Sequence, residues 1–257
     1  MATANIYPSD YLSDERPNAQ EQSVPNVSAS DLAYQKNPRF SLDPDSTAIT
    51  GLWAAPGGIP LAIRKFGRFP DTNRWQIGDL VLFSSLEPDH GSKAIRFAQQ
   101  NLGYIPDDAR WTHAAVYMDN DFICDATPFL GVRYRKIYDY IGHYALRVRR
   151  DPSLSDKERV QIAIKAASYL RNPYSLRELV RIGAQSLRRL LLGEFLDASP
   201  NNSGLICSTL YANAYYKATS KTLLNPASGE LIETVTPAFL SYTRRLVDVE
   251  CAWRLIS

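Results

Sequence analysis

The sequence lacks most of the features that would place it at a glance. Its three cysteines, Cys124, Cys207 and Cys251, are too few for a disulfide framework, and no two stand in a C-x-x-C spacing. Its three histidines, His90, His113 and His143, lie far apart in the chain, so no zinc-ligand spacing emerges. No metal and no organic cofactor is expected. The opening residues, MATANIYPSDYLSDERPNAQ, carry neither a basic leader nor an apolar core, which speaks against a secretory signal. No window approaches the roughly 18 consecutive apolar residues of a membrane-spanning helix. The chain is therefore expected to be made soluble, and any action outside the cytoplasm would need a dedicated export route. A large charge of one sign is missing too. With 29 basic and 27 acidic residues the net charge is +2, too balanced to argue for a nucleic-acid partner.

What is present is unevenly distributed. Half of the 16 prolines fall before residue 71, interspersed with Asn, Ser, Asp and Gln. Residues 1–70 read as an extended, irregular arm, tacked down by isolated anchors such as Tyr7, Tyr11, Leu32 and Tyr34. A compact domain is expected from 71 to 257, with its first firm anchor near Trp75. No internal repeat is evident.

Within that domain, Gly78-Asp79 reads as a turn and Leu80–Phe83 as a strand. GSKAIRFAQQNL reads as a helix with Ala94, Ile95, Phe97, Ala98 and Leu102 on its inner stripe. WTHAAVYM and FICDAT, joined by Asp119-Asn120-Asp121, form a hairpin. YALRVRR is a further strand. Ser155 and Glu158 make a capping box ahead of a helix whose stripe is Val160, Ala163, Ile164, Ala167 and Leu170. Residues 176–196 and 207–218 are two more helices, and Thr236-Pro237 opens a short one. VDVECAWRL alternates as a half-buried closing strand, with Cys251 on its core face. The expected class is α+β, an antiparallel sheet packed against helices.

Three residues carry chemistry. Cys207 lies where GLICSTLYANAYY passes from an apolar dipeptide into helical periodicity. At a helix N-terminus the free amides and the positive end of the dipole favour a thiolate. An inert packed thiol is the other reading of the same residue. A thiol nucleophile needs a base. His90 falls in a turn and His143 has no distinguishing context, whereas His113 sits inside an apolar strand beside the small Ala115. There a ring nitrogen must find a partner, and a satisfied core histidine is the alternative. Asp125, amid Phe122, Ile123, Cys124 and Ala126, can face His113 across the hairpin and orient its ring, or instead cap the Thr127-Pro128 turn. Cys124 points to the opposite face, which makes it a poor nucleophile.

The ordered set GDLVLF, GSKAIRFAQ, WTHAAVYMDNDFICDATPFLGVR, YALRVRR, NPYS and LICSTL, spanning about residues 76–250, resembles the permuted branch of the NlpC/P60 papain-like superfamily. Here the histidine precedes the cysteine, which is the permuted order. The resemblance implies a papain-like fold with Cys207 as nucleophile, His113 as base and Asp125 as third member, Asp standing where members often carry Glu. It implies acyl transfer at an amide or ester, on peptidoglycan stem peptides, other peptide-like amides or lipid acyl esters. Ser175–Leu196 mixes Leu and Ile with Arg177, Arg181, Arg188 and Arg189, a pattern that suits an anionic membrane surface or a helix packed on the domain with its arginines solvated. A cytoplasmic housekeeping amidase or thioesterase, and an inactive binding module on the same scaffold, remain open. The leaderless chain with its polar arm also suits a bacterial antibacterial effector or toxin, with a secretion machine and an immunity protein as further partners.

Overall fold

Leu80, Val81, Leu82 and Phe83 are all completely buried. A strand reaches that state only when both faces of its sheet are covered. The computed structural model describes residues 41–45, 48–173, 206–224 and 235–257, and among these the sheet is covered as the burial requires. Seven antiparallel strands form it: β1 (Ser41–Leu42), β4 (Leu80–Ser85), β5 (His113–Asp119), β6 (Phe122–Thr127), β7 (Gly131–Lys136), β8 (Tyr144–Arg150) and β9 (Val247–Asp248). Their order is β1-β8-β4-β5-β6-β7, with β9 also pairing β8. Two long helices, α4 (Asp156–Ala167) and α5 (Cys207–Thr219), cover one face. The other face meets α1 (Leu61–Phe66) and a second sheet of β2 (Ile49–Trp53), β10 (Trp253–Ile256) and β3 (Arg68–Pro70). The architecture is α+β, an antiparallel sheet packed against helices.

Local chemistry explains the better-read elements. Gly78 takes φ 85° before β4, and a Cβ there would lie 2.5 Å from the Arg159 carbonyl oxygen, so only glycine fits. The β5–β6 turn places Asp119, Asn120 and Asp121 at φ 100°, 50° and 65°, the left-handed region that Asn and Asp tolerate best. At α4 the Ser155 hydroxyl accepts from the Glu158 amide, and the Glu158 carboxylate accepts from the Ser155 amide at 2.8 Å. Thr236 caps α6 (Pro237–Tyr242) through the Phe239 amide. Two shorter pieces complete the described chain: α2 (His90–Asn101) and the single turn α3 (Pro106–Ala109).

Several expectations are corrected. Residues 41–42 and 49–70, assigned from the sequence to an irregular arm, contribute β1, β2, α1 and β3. The prolines delimit these elements: Pro60 precedes α1 and Pro70 ends β3. Strand β7 (Gly131–Lys136) was not anticipated: its alternation is short, with Val132 and Tyr134 between arginines, and Tyr134 is exposed rather than buried. The closing strand is broken. Val247–Asp248 joins the large sheet and Trp253–Ile256 the small one, with Val249 and Cys251 buried in the crossing between them. The stripe of α4 is one position out of phase: Ile162, Ala163 and Ala166 are buried, while Val160 and Ile164 face outward. On α2 the buried pair is Ala98 and Gln99, and Phe97 is exposed. Gln99 explains this inversion. Its amide donates to the carbonyls of Ala109 and Trp111, and its oxygen accepts from the Ala238 amide. The arm through residue 40 and the 176–196 helix lie outside the described residues.

Candidate active site

The hairpin register brings the first pair together. Ala115 stands opposite Asp125, and the same faces of β5 and β6 carry His113 and Asp125. His113 Nε2 lies 3.2 Å from Asp125 Oδ2. The carboxylate is fully buried and the His113 side chain 16% exposed, so the ring is the part of the pair that reaches outward. A residue that sequence reasoning missed completes this arrangement. Tyr140, in a 3-10 turn at Ile137–Tyr140, donates its hydroxyl to Asp125 Oδ2 at 2.6 Å and lies 3.1 Å from His113 Nε2. Its ring stacks on His113 and packs on Phe83. Arg135, two places beyond the Asp125 partner Arg133 on β7, sets its guanidinium 3.5 Å from Asp125 Oδ2. Asp125 Oδ1 is buried with no hydrogen-bond partner among the described residues. No local signal marks Tyr140 or Arg135 in the sequence. Both depend on pairing β6 with the unread strand β7.

The thiol arrives from the other side. Alternation directs His113 toward the face that carries Ala115 and Tyr117. As the first residue of β5, however, it stands at the end of the sheet, where a side chain can be reached from either face. Helix α5 packs on β5 and β6 and places Cys207 at its first position, within hydrogen-bonding reach of His113. Asp125 and Tyr140 both meet the ring at Nε2, and the thiol joins the same cluster from the start of α5, which gathers the three groups that a nucleophile–base–orienter chain uses.

The start of α5 is prepared for an anion. Ile206 has no side chain that can cap the first turn. The Thr209 hydroxyl turns back to the Ile206 amide, and the Ser208 hydroxyl donates to the Val235 carbonyl. Neither serves the first-turn amides. Those amides point toward the thiol end of the helix, with the positive end of the dipole behind them.

The electrostatics of the ring follow from this placement. Burial works against an imidazolium at His113. Negative charge on Cys207, the hydrogen bonds to Asp125 and Cys207, and the Asp125 carboxylate outweigh it, and the His113 pKa is raised to about 10. Burial likewise works against a charged Asp125, but its bonds to His113 and Tyr140 and the Arg135 charge hold its pKa below the ordinary value. Burial and the Asp125 charge push the Tyr140 hydroxyl far up, so it remains a donor. The surroundings of the ring thus favour its charged form.

The remaining candidates separate cleanly. Cys124 lies among the helix-side core residues, its thiol donating to the Ala166 carbonyl, and burial pushes its pKa up to about 12. Cys251 is buried against Val249 and is pushed to about 12 for the same reason. Both stay protonated and packed. His90 begins α2 and His143 precedes β8, both exposed and remote from Asp125 in register. Among the described residues, no group of three or more His, Cys, Asp and Glu side chains is placed to hold a metal ion, and no helix is long and apolar enough to cross a membrane.

Comparison with known proteins adds little to this geometry. No family model matches the chain, and no curated protein does. Among solved structures, the chain is similar to the crystal structure of metalloprotein yiiX from Escherichia coli O157:H7, DUF1105. The TM-score is 0.46 at 20% identity, over 68% of this chain and 96% of that one. A likeness at this distance assigns neither family nor activity.

Proposed function

We propose that the protein is a cysteine hydrolase or acyltransferase with a permuted NlpC/P60-type, papain-like arrangement. The observation that carries this reading is the convergence of Cys207, His113 and Asp125 from three elements, with Asp125 at His113 Nε2 and the Cys207 thiol within reach of the same ring. The Cys207 thiolate adds to an amide or ester carbonyl. The oxyanion is met by first-turn amides of α5, including that of Cys207. His113 gives its proton to the departing amine or alcohol, and the acyl group stays on sulfur as a thioester. Neutral His113 then takes a proton from water or another acceptor, which attacks the thioester and restores the thiolate and imidazolium. Asp125 and Tyr140 hold the ring throughout. The substrate is cell-envelope material, either a peptidoglycan peptide or a lipid acyl ester, and the biological role is that of an exported antibacterial effector.

Incubating the purified protein with phospholipid vesicles and, separately, with purified peptidoglycan, followed by mass spectrometry of products and protein, tests the chemistry. Products together with an acyl adduct on Cys207 are expected. Products from the Cys207→Ala protein at the wild-type rate would remove the mechanism. For the role, periplasmic expression is expected to arrest the cell only with Cys207 intact. Harmless expression in both periplasm and cytoplasm would remove it.

A further inference from the structure

The turn between β6 and β7 presents two large apolar side chains to solvent beside the candidate site. Phe129 is 92% exposed and Leu130 50%. Phe129 sits at φ 65°, in the left-handed region where a bulky side chain is uncommon and glycine is at ease. The base of the turn is pinned. The Leu130 amide donates to the Thr127 carbonyl, the Val132 amide to the Asn172 carbonyl at 3.0 Å, and the Arg171 amide to the Val132 carbonyl at 2.9 Å. Gly131 packs so tightly that a Cβ would lie 2.4 Å from the Asn172 oxygen. The tip is thus held outward on a fixed base.

Its position is set by register. With Ala115 opposite Asp125 and Thr127 opposite Gly131, the turn leaves the sheet at the His113 end. On the other side of that end, Leu86 follows β4 and is 41% exposed. Helix α2, which exposes Phe97, is tied there by Arg96, whose guanidinium donates to Ser84 Oγ and the Ser85 carbonyl. Two exposed arginines flank the tip. Arg133 donates to the Leu130 carbonyl at 3.4 Å and Arg171 adjoins Val132, and no described carboxylate pairs with either. An apolar tip between exposed cations matches the boundary between acyl chains and anionic headgroups.

We infer that this rim docks on an anionic lipid bilayer, with Phe129 and Leu130 entering the acyl boundary and Arg133 and Arg171 at phosphate level. Docked this way, the protein offers Cys207 the acyl ester of a membrane phospholipid. The thiolate takes the acyl group, His113 protonates the departing lysophospholipid alkoxide, and water releases the fatty acid. The substrate assignment rests on the acyl-transfer reading above, whereas the docking does not.

The test separates the two. The full chain carrying Cys207→Ala is sedimented with phosphatidylglycerol–phosphatidylethanolamine vesicles and with phosphatidylcholine vesicles. Binding to the anionic vesicles, weakened by salt, is expected. Phe129→Gly with Leu130→Ser should lower it about tenfold or more, with thermal melting unchanged or raised because glycine relieves the left-handed position. Arg133→Gln and Arg171→Gln should each lower it about fivefold. With Cys207 intact, the tip variant should lose turnover on vesicles and keep turnover of a short-chain soluble thioester. Absence of vesicle binding, vesicle binding or phospholipid turnover that ignores the tip substitutions, or tip-dependent binding to purified peptidoglycan instead, would each overturn the docking. Tip-dependent binding with no phospholipid product would keep the docking and overturn the phospholipid assignment, and failure to turn over the soluble thioester as well would overturn the acyl-transfer reading.

Discussion

Asp125 and Asp248 are both buried acids facing arginine on the same sheet, yet their surroundings differ in kind. Asp248 uses both oxygens: Arg147 grips it through Nε at 2.7 Å and Nη2 at 2.9 Å, and Arg149 adds a contact at 3.2 Å. Arg147 also donates to Ser241 Oγ, which donates to Asp108. Arg149 donates to the carbonyls of Leu240 and Ser241. This network ties β8 to β9 and α6 through carboxylates, the Ser241 hydroxyl and backbone oxygens. Asp125 instead concentrates its contacts on Oδ2, leaves Oδ1 without a described partner, and faces a titratable ring that is itself partly exposed and in reach of a thiol. A network of fixed ion pairs stabilises a fold, whereas a buried carboxylate paired with a titratable ring is the kind of perturbed group that clusters at functional sites. The cysteines repeat the contrast, since Cys124 and Cys251 donate to backbone carbonyls while Cys207 faces His113.

The strongest way to break the comparison is Cys207→Ala. Turnover should fall by about four orders of magnitude or more, while the melting curve stays close to wild type, measured by product formation and calorimetry on one preparation. Next comes Asp248→Ala. It strands two buried guanidinium groups and should cost about 3–5 kcal/mol of stability, read from urea unfolding. Turnover per folded molecule should be retained. If this variant lost chemistry and kept stability, the two clusters would have been assigned the wrong way round.

The titration of His113 sharpens the difference. Its pKa in the folded state, about 10, lies above the ordinary histidine value. The stability it contributes is therefore fully present below pH about 6.5 and is lost as pH rises through about 10. Imidazole resonances should show a protonated His113 at neutral pH, and Cys207→Ala should move its midpoint down, because the interaction with the thiol helps to raise it. An unmoved midpoint would show that Cys207 and His113 are not coupled.

Smaller effects should follow at the edge of the site. Tyr140→Phe removes a donor from Asp125 and should lower kcat about tenfold, cost about 1 kcal/mol and shift the pH profile of turnover, a change that a purely structural role would not produce. Cys124→Ala should be the mildest. It should cost about 1 kcal/mol from lost packing with kcat unchanged, and a marked loss of kcat would show that the helix-side thiol participates.

Much of this molecule was determined by the sequence itself, wherever the cause is local. The Asp-Asn-Asp turn, the Ser155–Glu158 box, the Thr236-Pro237 helix start and the helical onset at Cys207 depend on neighbours within a few residues, so their chemistry can be read directly. The hairpin turn also fixed which face carries His113 and Asp125, because strand side chains alternate with a period of two. Tertiary structure decided what depends on distant partners. It chose the phase of α4, where apolar residues occupy both helical faces, and it turned α2 about Gln99, whose three backbone partners come from two other segments. It buried Arg147 and Arg149 beneath α6 by supplying Asp248. It brought Tyr140 and Arg135 to Asp125 through the pairing of β6 with β7, and it set the start of α5 against the first residue of β5. Such pairings join residues many positions apart, and their energy exists only once the chain has closed around them.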